Sequence, residues 1–171
     1  RLMYWQVYLH KTAVGYEKIL ISALKRAKML TKQGYDIFAA PALAYFLKND
    51  VDRTWFEQHP EALTMYSELD DSDIWSALKA WKHHEDKTLS LLAESMLDRH
   101  LWHVEVSEER PSQERLDEIA QNIAKKEGIS LADTTYLMSL TEIGKDMYNP
   151  DDDSIGILYK DGTVKDISEA S

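Results

Sequence analysis

Residues 8–34 read YLHKTAVGYEKILISALKRAKMLTKQG, and apolar side chains recur through them at steps of three and four residues. That spacing is the period of an α-helix with one buried stripe. The stripe consists of Leu9, Ala13, Tyr16, Leu20, Leu24, Ala27, Met29 and Leu30. Gly34 stands where a left-handed residue commonly ends a helix. The sequence predicts one helix over residues 1–33, on the order of 45 Å long, which is enough to cross a whole domain or a subunit interface.

This helix carries charge of almost one sign. Residues 1–33 hold seven basic residues against Glu17 alone, a formal charge of +6 in a chain whose total is −10. The basic residues are Arg1, Lys11, Lys18, Lys25, Arg26, Lys28 and Lys32. Residues 34–171 therefore carry −16. Positive charge concentrated on one helix of an acidic protein predicts contact with an anion.

The composition excludes several classes of protein. A chain of 171 residues with 44% hydrophobic residues can form one ordinary domain, or one with a small companion. Cysteine is absent, which excludes disulfides, thiolate nucleophiles and Cys-ligated metal sites and fits a reducing cytoplasm. No apolar run approaches the ~20 residues of a membrane span, so no membrane partner is expected. A pI near 5.0 argues against broad nucleic-acid binding.

Further helices are predicted from local signals. Helical periodicity and helix-start residues occur in residues 39–48, 60–68, 74–81 and 89–97. Asp70 to Asp73 form an N-cap cluster for the third of these segments, and Glu85 and Asp86 cap the fourth. The first hundred residues are therefore predicted to be helical, with about five helices.

The pattern changes after residue 98. Residues 101–106 and 136–140 are strand candidates, and a helix from Gln113 to Lys126 ends at Gly128. Residues 155–159 and 163–167 flank Lys160-Asp161-Gly162, a strong hairpin signal. The predicted fold is mainly α, with a helical domain over residues 1–98 followed by a small α+β domain of β-α-β-β order over residues 99–171.

Three segments resemble one known family. Tyr8-Leu9-His10-Lys11, within its long helix, resembles the HD-domain deoxynucleoside triphosphate triphosphohydrolases, and the bacterial members most. Residues 69–74 resemble the start of a later helix in that family, and residues 99–102 the junction that leads into its small α+β region. The resemblance implies a metal-dependent phosphohydrolase that binds a nucleotide, such as a dNTP or GTP, and that assembles as a homo-oligomer.

The metal motif of that family does not occur here. Its members hold a divalent ion (Mn, Mg, Ni, Fe or Zn) with a His, a His-Asp pair and a distant Asp, and the ion activates water and neutralises phosphate charge. None of the six histidines of this chain is followed by Asp. The chain also begins with Arg1 and shows no helix cap before Leu2. We interpret it as the C-terminal portion of a longer enzyme whose metal centre lies upstream, and we expect this portion alone to be inactive.

The resemblance assigns three candidate site residues. Tyr8 would reach the substrate pocket, and His10 with Lys11 would lie near a regulatory nucleotide at a subunit interface. A Lys ammonium suits phosphate, and Tyr and His can stack or donate hydrogen bonds. The alternative is a Tyr in the core stripe beside a solvated Lys. No catalytic residue and no metal ligand is predicted within this chain.

Other clusters of polar residues are better explained by local structure. Adjacent helical residues point about 100° apart, so His83 and His84 cannot both ligate one ion without distortion, and Glu85-Asp86 reads as a helix cap. Residues 151–153 lack the Gly and the later Glu of a calcium loop and predict a solvated turn. For His100 and His103 packing is the default expectation. The rival function is a non-catalytic helical module that binds a protein partner through exposed aromatic side chains.

Overall fold

A computed structural model describes residues 11–105, 107, 109–141 and 156–166. Its backbone forms two compact units, Arg1–Ser139 and Leu140–Ser171. The fold is mainly α, as the sequence predicts. The helices of the first unit are α1 (Lys11–Lys32), α2 (Pro41–Lys48), α3 (Arg53–Gln58), α4 (Glu61–Glu68), α5 (Asp71–Trp81), α6 (Lys87–Leu97), α7 (Gln113–Glu127) and a 3₁₀ helix (Ala132–Tyr136).

Helix α1 lies at the centre of the first unit and packs against α2 and α6. Its buried stripe is Ile19, Ala23, Ala27 and Leu30, spaced four, four and three residues apart. The alanines are small and let the neighbouring helices approach closely. The rest of the core is contributed by the other helices, through Leu43, Leu47, Ala77, Leu78, Trp81, Leu89, Leu92, Ala93 and Met96.

Four of the predicted helix-capping residues are confirmed. Asp70 accepts hydrogen bonds from the backbone N–H groups of Ser72 and Asp73, and the Asp73 carboxylate accepts from the Asp70 N–H, which completes a capping box for α5. Asp86 caps α6 by accepting from the Leu89 N–H at 2.8 Å. Gly34 has φ +90°, and Gly128, which caps α7, has φ +61°. Helix α3, which Asp52 caps, is absent from the sequence prediction.

The second unit contains the predicted hairpin. Strands β1 (Gly156–Leu158) and β2 (Val164–Asp166) pair antiparallel, with Ile157 opposite Lys165. Gly162 has φ +86° in the turn. The Thr163 N–H donates to the Asp161 carboxylate at 3.0 Å, which is the local bonding that favours Asp in turns.

Two other predicted strands are wrong. Residues 101–105 have no paired strand among the described residues, and Trp102 packs against the helical core instead. Tyr136 ends the 3₁₀ helix, and residues 137–140 are irregular. In that helix the Thr134 hydroxyl donates to the Leu131 carbonyl and the Asp133 N–H to the Ser130 hydroxyl. Such side-chain bonds compete with strand pairing and here stabilise a turn.

The division between the two units falls after Ser139, whereas the sequence predicts a boundary near residue 98. The 3₁₀ helix packs against α1, so residues beyond 98 contribute to the helical unit. The independence of residues 1–98 stays a prediction. None of the described helices combines the length and the apolar character that crossing a bilayer requires.

Candidate functional site

The three residues that the family resemblance singles out lie at the edge of what the structure describes. Tyr8 and His10 lie outside the described residues. Lys11 is the first residue of α1, and its side chain is likewise outside the described part. Their assignment to a nucleotide site stays a prediction.

Part of the positive charge of α1 is neutralised within the fold. Lys28 lies 3.2 Å from the Asp50 carboxylate, and Lys32 pairs with the same group. Hydrogen bonds from these two lysines lower the pKa of the Asp50 carboxyl. These cations therefore join α1 to the end of α2.

Arg26 is the buried cation of α1, with 8% of its surface exposed. Its Nε and Nη2 atoms donate to the two carboxylate oxygens of Asp86 at 3.0 and 2.6 Å, a bidentate geometry. Nη1 donates to Asp133, and the guanidinium lies 5.2 Å from the ring centroid of Tyr136. One side chain thus joins α1, the start of α6 and the 3₁₀ helix.

The pKa values in this cluster favour its charged form. The hydrogen bond to Asp86 is the largest cause that raises the pKa of Arg26 above its usual range, against the opposing effect of burial. Burial by itself raises the pKa of the Asp86 carboxyl, but hydrogen bonds from Arg26 and the Leu89 N–H outweigh burial and hold it below the usual value. The cluster is therefore a structural ion network, in which a buried guanidinium is paired with two carboxylates.

Beside this network, an open cleft of about 450 Å³ lies between α1 and the end of the 3₁₀ helix with the residues that follow it. The α1 wall consists of Lys18, Ile21, Ser22 and Lys25, at positions i, i+3, i+4 and i+7, so all four side chains share one helix face. The opposite wall consists of Thr135, Tyr136, Met138 and Ser139. We call this space the α1 cleft.

The polar groups of the α1 cleft are available to a ligand. Among the described residues, Lys18 and Lys25 have no carboxylate partner, and the hydroxyls of Ser22 and Ser139 have no hydrogen-bond partner. The Thr135 hydroxyl already donates to the Ala132 carbonyl at 2.9 Å. Two ammonium groups and two hydroxyls around one cleft suit an anion.

The sequence indicates only half of this cleft. The seven-residue interval between Lys18 and Lys25, with Ser22 between them, places three polar residues on one face of a predicted helix. The opposite wall carries no such signal, because residues 136–140 are predicted as a strand and the wall reaches α1 only through tertiary packing.

The described residues do not provide a donor set for the divalent ion that the resemblance implies. No group of three or more His, Asp or Glu able to hold a metal occurs in the described part of the chain. His84 instead accepts the Asp86 N–H through Nδ1 at 2.9 Å, which confirms the helix-junction interpretation. His100 and His103 are exposed rather than packed, and His103 lies 3.3 Å from Glu105. Residues 151–153 lie outside the described residues.

No family model matches the chain, but individual proteins are similar to it over nearly its whole length. A crystal structure of a phosphohydrolase from Bacteroides thetaiotaomicron VPI-5482 is 50% identical, with a TM-score of 0.84 over 99% of this chain and 42% of that protein. Uncharacterized protein YwfO of Bacillus subtilis (strain 168) is 30% identical over 99% of this chain and 38% of its own length.

The similarity extends over nearly all of the 171 residues, so both the helical arrangement and the sequence match a segment of a phosphohydrolase. The chain therefore has a phosphohydrolase-like fold. It spans less than half the length of either relative.

Proposed function

We propose that this chain is the C-terminal portion of a metal-dependent HD phosphohydrolase that hydrolyses nucleoside triphosphates. The observation that carries the proposal is the 50% identity to a phosphohydrolase over 99% of the chain. Support for a phosphate-bearing substrate comes from the motif Tyr8-Leu9-His10-Lys11 and from Lys18 and Lys25, which have no carboxylate partner in the described part of the chain. The working enzyme would be a cytoplasmic homo-oligomer.

In this proposal the chain supplies walls and contacts rather than the reacting centre. A divalent ion, bound by polypeptide outside these 171 residues, would polarise the phosphate and activate water. Tyr8 would contact the substrate, and His10 and Lys11 a regulatory nucleotide. Lys11 and Lys18 are seven residues apart on α1, about 10 Å along its axis. Positive charge therefore continues from the predicted site residues towards the α1 cleft.

The test compares the 171-residue chain with the longer product of its gene. Both are assayed for hydrolysis of each dNTP and of GTP in the presence of Mn²⁺. We expect the longer protein to hydrolyse at least one nucleotide and the 171-residue chain to hydrolyse none. Activity in the shorter chain would contradict the assignment of the metal centre to other polypeptide. Inactivity of the longer protein on every nucleotide would leave the phosphohydrolase-like fold unaffected but would contradict nucleotides as its substrate class.

A second candidate is favoured by exposed aromatic and aliphatic side chains. Leu63 and Tyr66 on α4 are 65% and 62% exposed, and Trp75 on α5 is exposed as well. A non-catalytic module could bind a protein partner through such residues. The residues that the gene encodes before Arg1 separate the two candidates. A His, His-Asp and distant Asp series there supports the hydrolase, and its absence supports the interaction module.

A further inference from the structure

We propose that the α1 cleft is a binding site for a polyphosphate anion, either free or as part of a nucleotide, with Lys18, Lys25, Ser22 and Ser139 as its ligands. The inference goes beyond the proposed function because it needs no metal centre and concerns residues other than Tyr8, His10 and Lys11. The volume of the α1 cleft, about 450 Å³, falls within the range of small-molecule sites.

The charges of the α1 cleft select an anion. Lys18 and Lys25 are about 10 Å apart along the helix axis, and their flexible side chains can reach one ligand between them. No carboxylate neutralises either lysine in the described part of the chain, in contrast to Lys28 and Lys32, which share Asp50. Their positive potential therefore remains available to a ligand.

The hydroxyls of Ser22 and Ser139 face the same space from opposite walls. Each can donate one hydrogen bond to a phosphate oxygen, and neither donates to another described residue. The backbone positions of Lys18 and Lys25 lie about two helical turns apart on α1, a span that is longer than one phosphate group. A chain of phosphates can contact both, and this geometry favours a polyphosphate.

The wall opposite α1 is held in place before any ligand binds. Arg26 bonds Asp133 and lies against the Tyr136 ring, one residue after Thr135 and three residues before Ser139. The Arg26 network is itself anchored by Asp86 at the start of α6. Little ordering of the wall is then required on binding, which preserves affinity.

Apolar side chains complete the α1 cleft. Ile21, Tyr136 and Met138 line it beside the polar groups. They could contact a nucleoside attached to the phosphates, so the free and the nucleotide forms of the ligand must be compared directly.

Binding is measured on the 171-residue chain by two-dimensional ¹H–¹⁵N NMR, with inorganic tripolyphosphate and dATP as separate probes and without divalent metal. We expect both probes to shift the amide signals of residues 18–25 and 135–139, and added NaCl to weaken binding because it screens the lysines. Equal affinity for the two probes would assign the site to the phosphate chain alone. Tighter binding of dATP would indicate a further contact between the α1 cleft and the nucleoside. Both results support the inference.

The variants Lys18→Gln and Lys25→Gln should each lower the affinity for tripolyphosphate roughly tenfold. Lys32→Gln is the matched control, because it removes the same charge from the same helix at a lysine already paired with Asp50. It should change the affinity less than twofold. Ser139→Ala, which keeps every charge, should weaken binding several-fold and tests the opposite wall.

Two results would overturn the inference. One is the absence of shifts in the α1 cleft at millimolar tripolyphosphate. The other is an equal loss of affinity in Lys18→Gln and Lys32→Gln, which would indicate attraction to net charge only. Either result would remove the support that Lys18 and Lys25 give to a phosphate-bearing substrate, but neither decides the proposed hydrolase, whose test is nucleotide turnover by the longer protein. Conversely, binding in the α1 cleft without nucleotide turnover by the longer protein would support the anion site and contradict the proposed hydrolase.

Discussion

The positive charge of Arg26, which in the sequence suggests an anionic ligand, stabilises the fold through ion pairs within the protein. In the sequence Arg26 is one of several cations on one predicted helix, and nothing distinguishes it from the others as a ligand for an anion. In the structure it is buried and bonded to two carboxylates that lie 60 and 107 residues away along the chain. Only a tertiary contact distinguishes it from Lys25, its neighbour, which is exposed and lines the α1 cleft.

The substitution Arg26→Met should lower the free energy of unfolding at pH 7 by about 3 kcal/mol, since it leaves Asp86 and Asp133 partly buried without their cation. Urea unfolding followed by circular dichroism measures this change. Lys25→Met, on the same helix at an exposed cation, is the control and should change stability by less than about 0.5 kcal/mol. Equal effects would refute the structural role of Arg26.

The same comparison has a definite pH dependence. Because Arg26 lowers the pKa of Asp86 in the folded protein, the pair stabilises the fold fully above the unfolded pKa of Asp, about 3.9. Its contribution is lost as the pH falls through the lower, folded pKa. The difference between wild type and Arg26→Met should therefore be constant near neutral pH and shrink below about pH 4. A difference that persists in acid would indicate lost packing rather than a lost ion pair.

At the scale of elements, helices and their ends follow from the sequence because their determinants are local. Asp70, Asp86 and Gly128 lie within four residues of the groups they cap, so a short window of sequence contains both partners. The hairpin is predicted for the same reason, since its turn joins the two strands directly. The strands predicted at 101–106 and 136–140 required partners elsewhere in the chain, and alternation alone does not supply them.

Gly34 is the residue whose backbone ends the central helix. With φ +90° it lies where an L side chain is strained, although its Cβ would meet nothing within 4 Å. Gly34→Ala should therefore destabilise the protein by about 1 kcal/mol through backbone strain alone, as thermal unfolding would show. Gly34→Asn is the matched comparison and should cost less, because Asn tolerates the left-handed region. An equal cost for Asn and Ala would point to a cause other than backbone conformation.

For the whole molecule, the sequence predicts the fold class and a domain boundary near residue 98, whereas the backbone divides into compact units after Ser139. The signal used was a change from helical to alternating pattern after residue 98. The contact that matters there is tertiary, since Asp133 and Tyr136 meet Arg26 from a segment with no helical periodicity of its own. The Lys18 and Lys25 face was readable from spacing, whereas its opposite wall was not.

Two truncated chains decide between these boundaries. A chain of residues 1–139 keeps Asp133, Tyr136 and Trp102 against the helices, whereas a chain of residues 1–98 loses all three. We expect the shorter chain to unfold with a free energy at least about 2 kcal/mol lower, because Arg26 keeps only Asp86 and the apolar surface beneath Trp102 and Tyr136 becomes exposed. Urea unfolding of the two chains is followed by far-UV circular dichroism. Tryptophan fluorescence is unsuitable for the comparison, because the shorter chain lacks Trp102. Equal stability of the two chains would support a domain boundary near residue 98. It would also mean that the helices of residues 1–98 do not depend for their stability on the segment that forms the opposite wall of the α1 cleft.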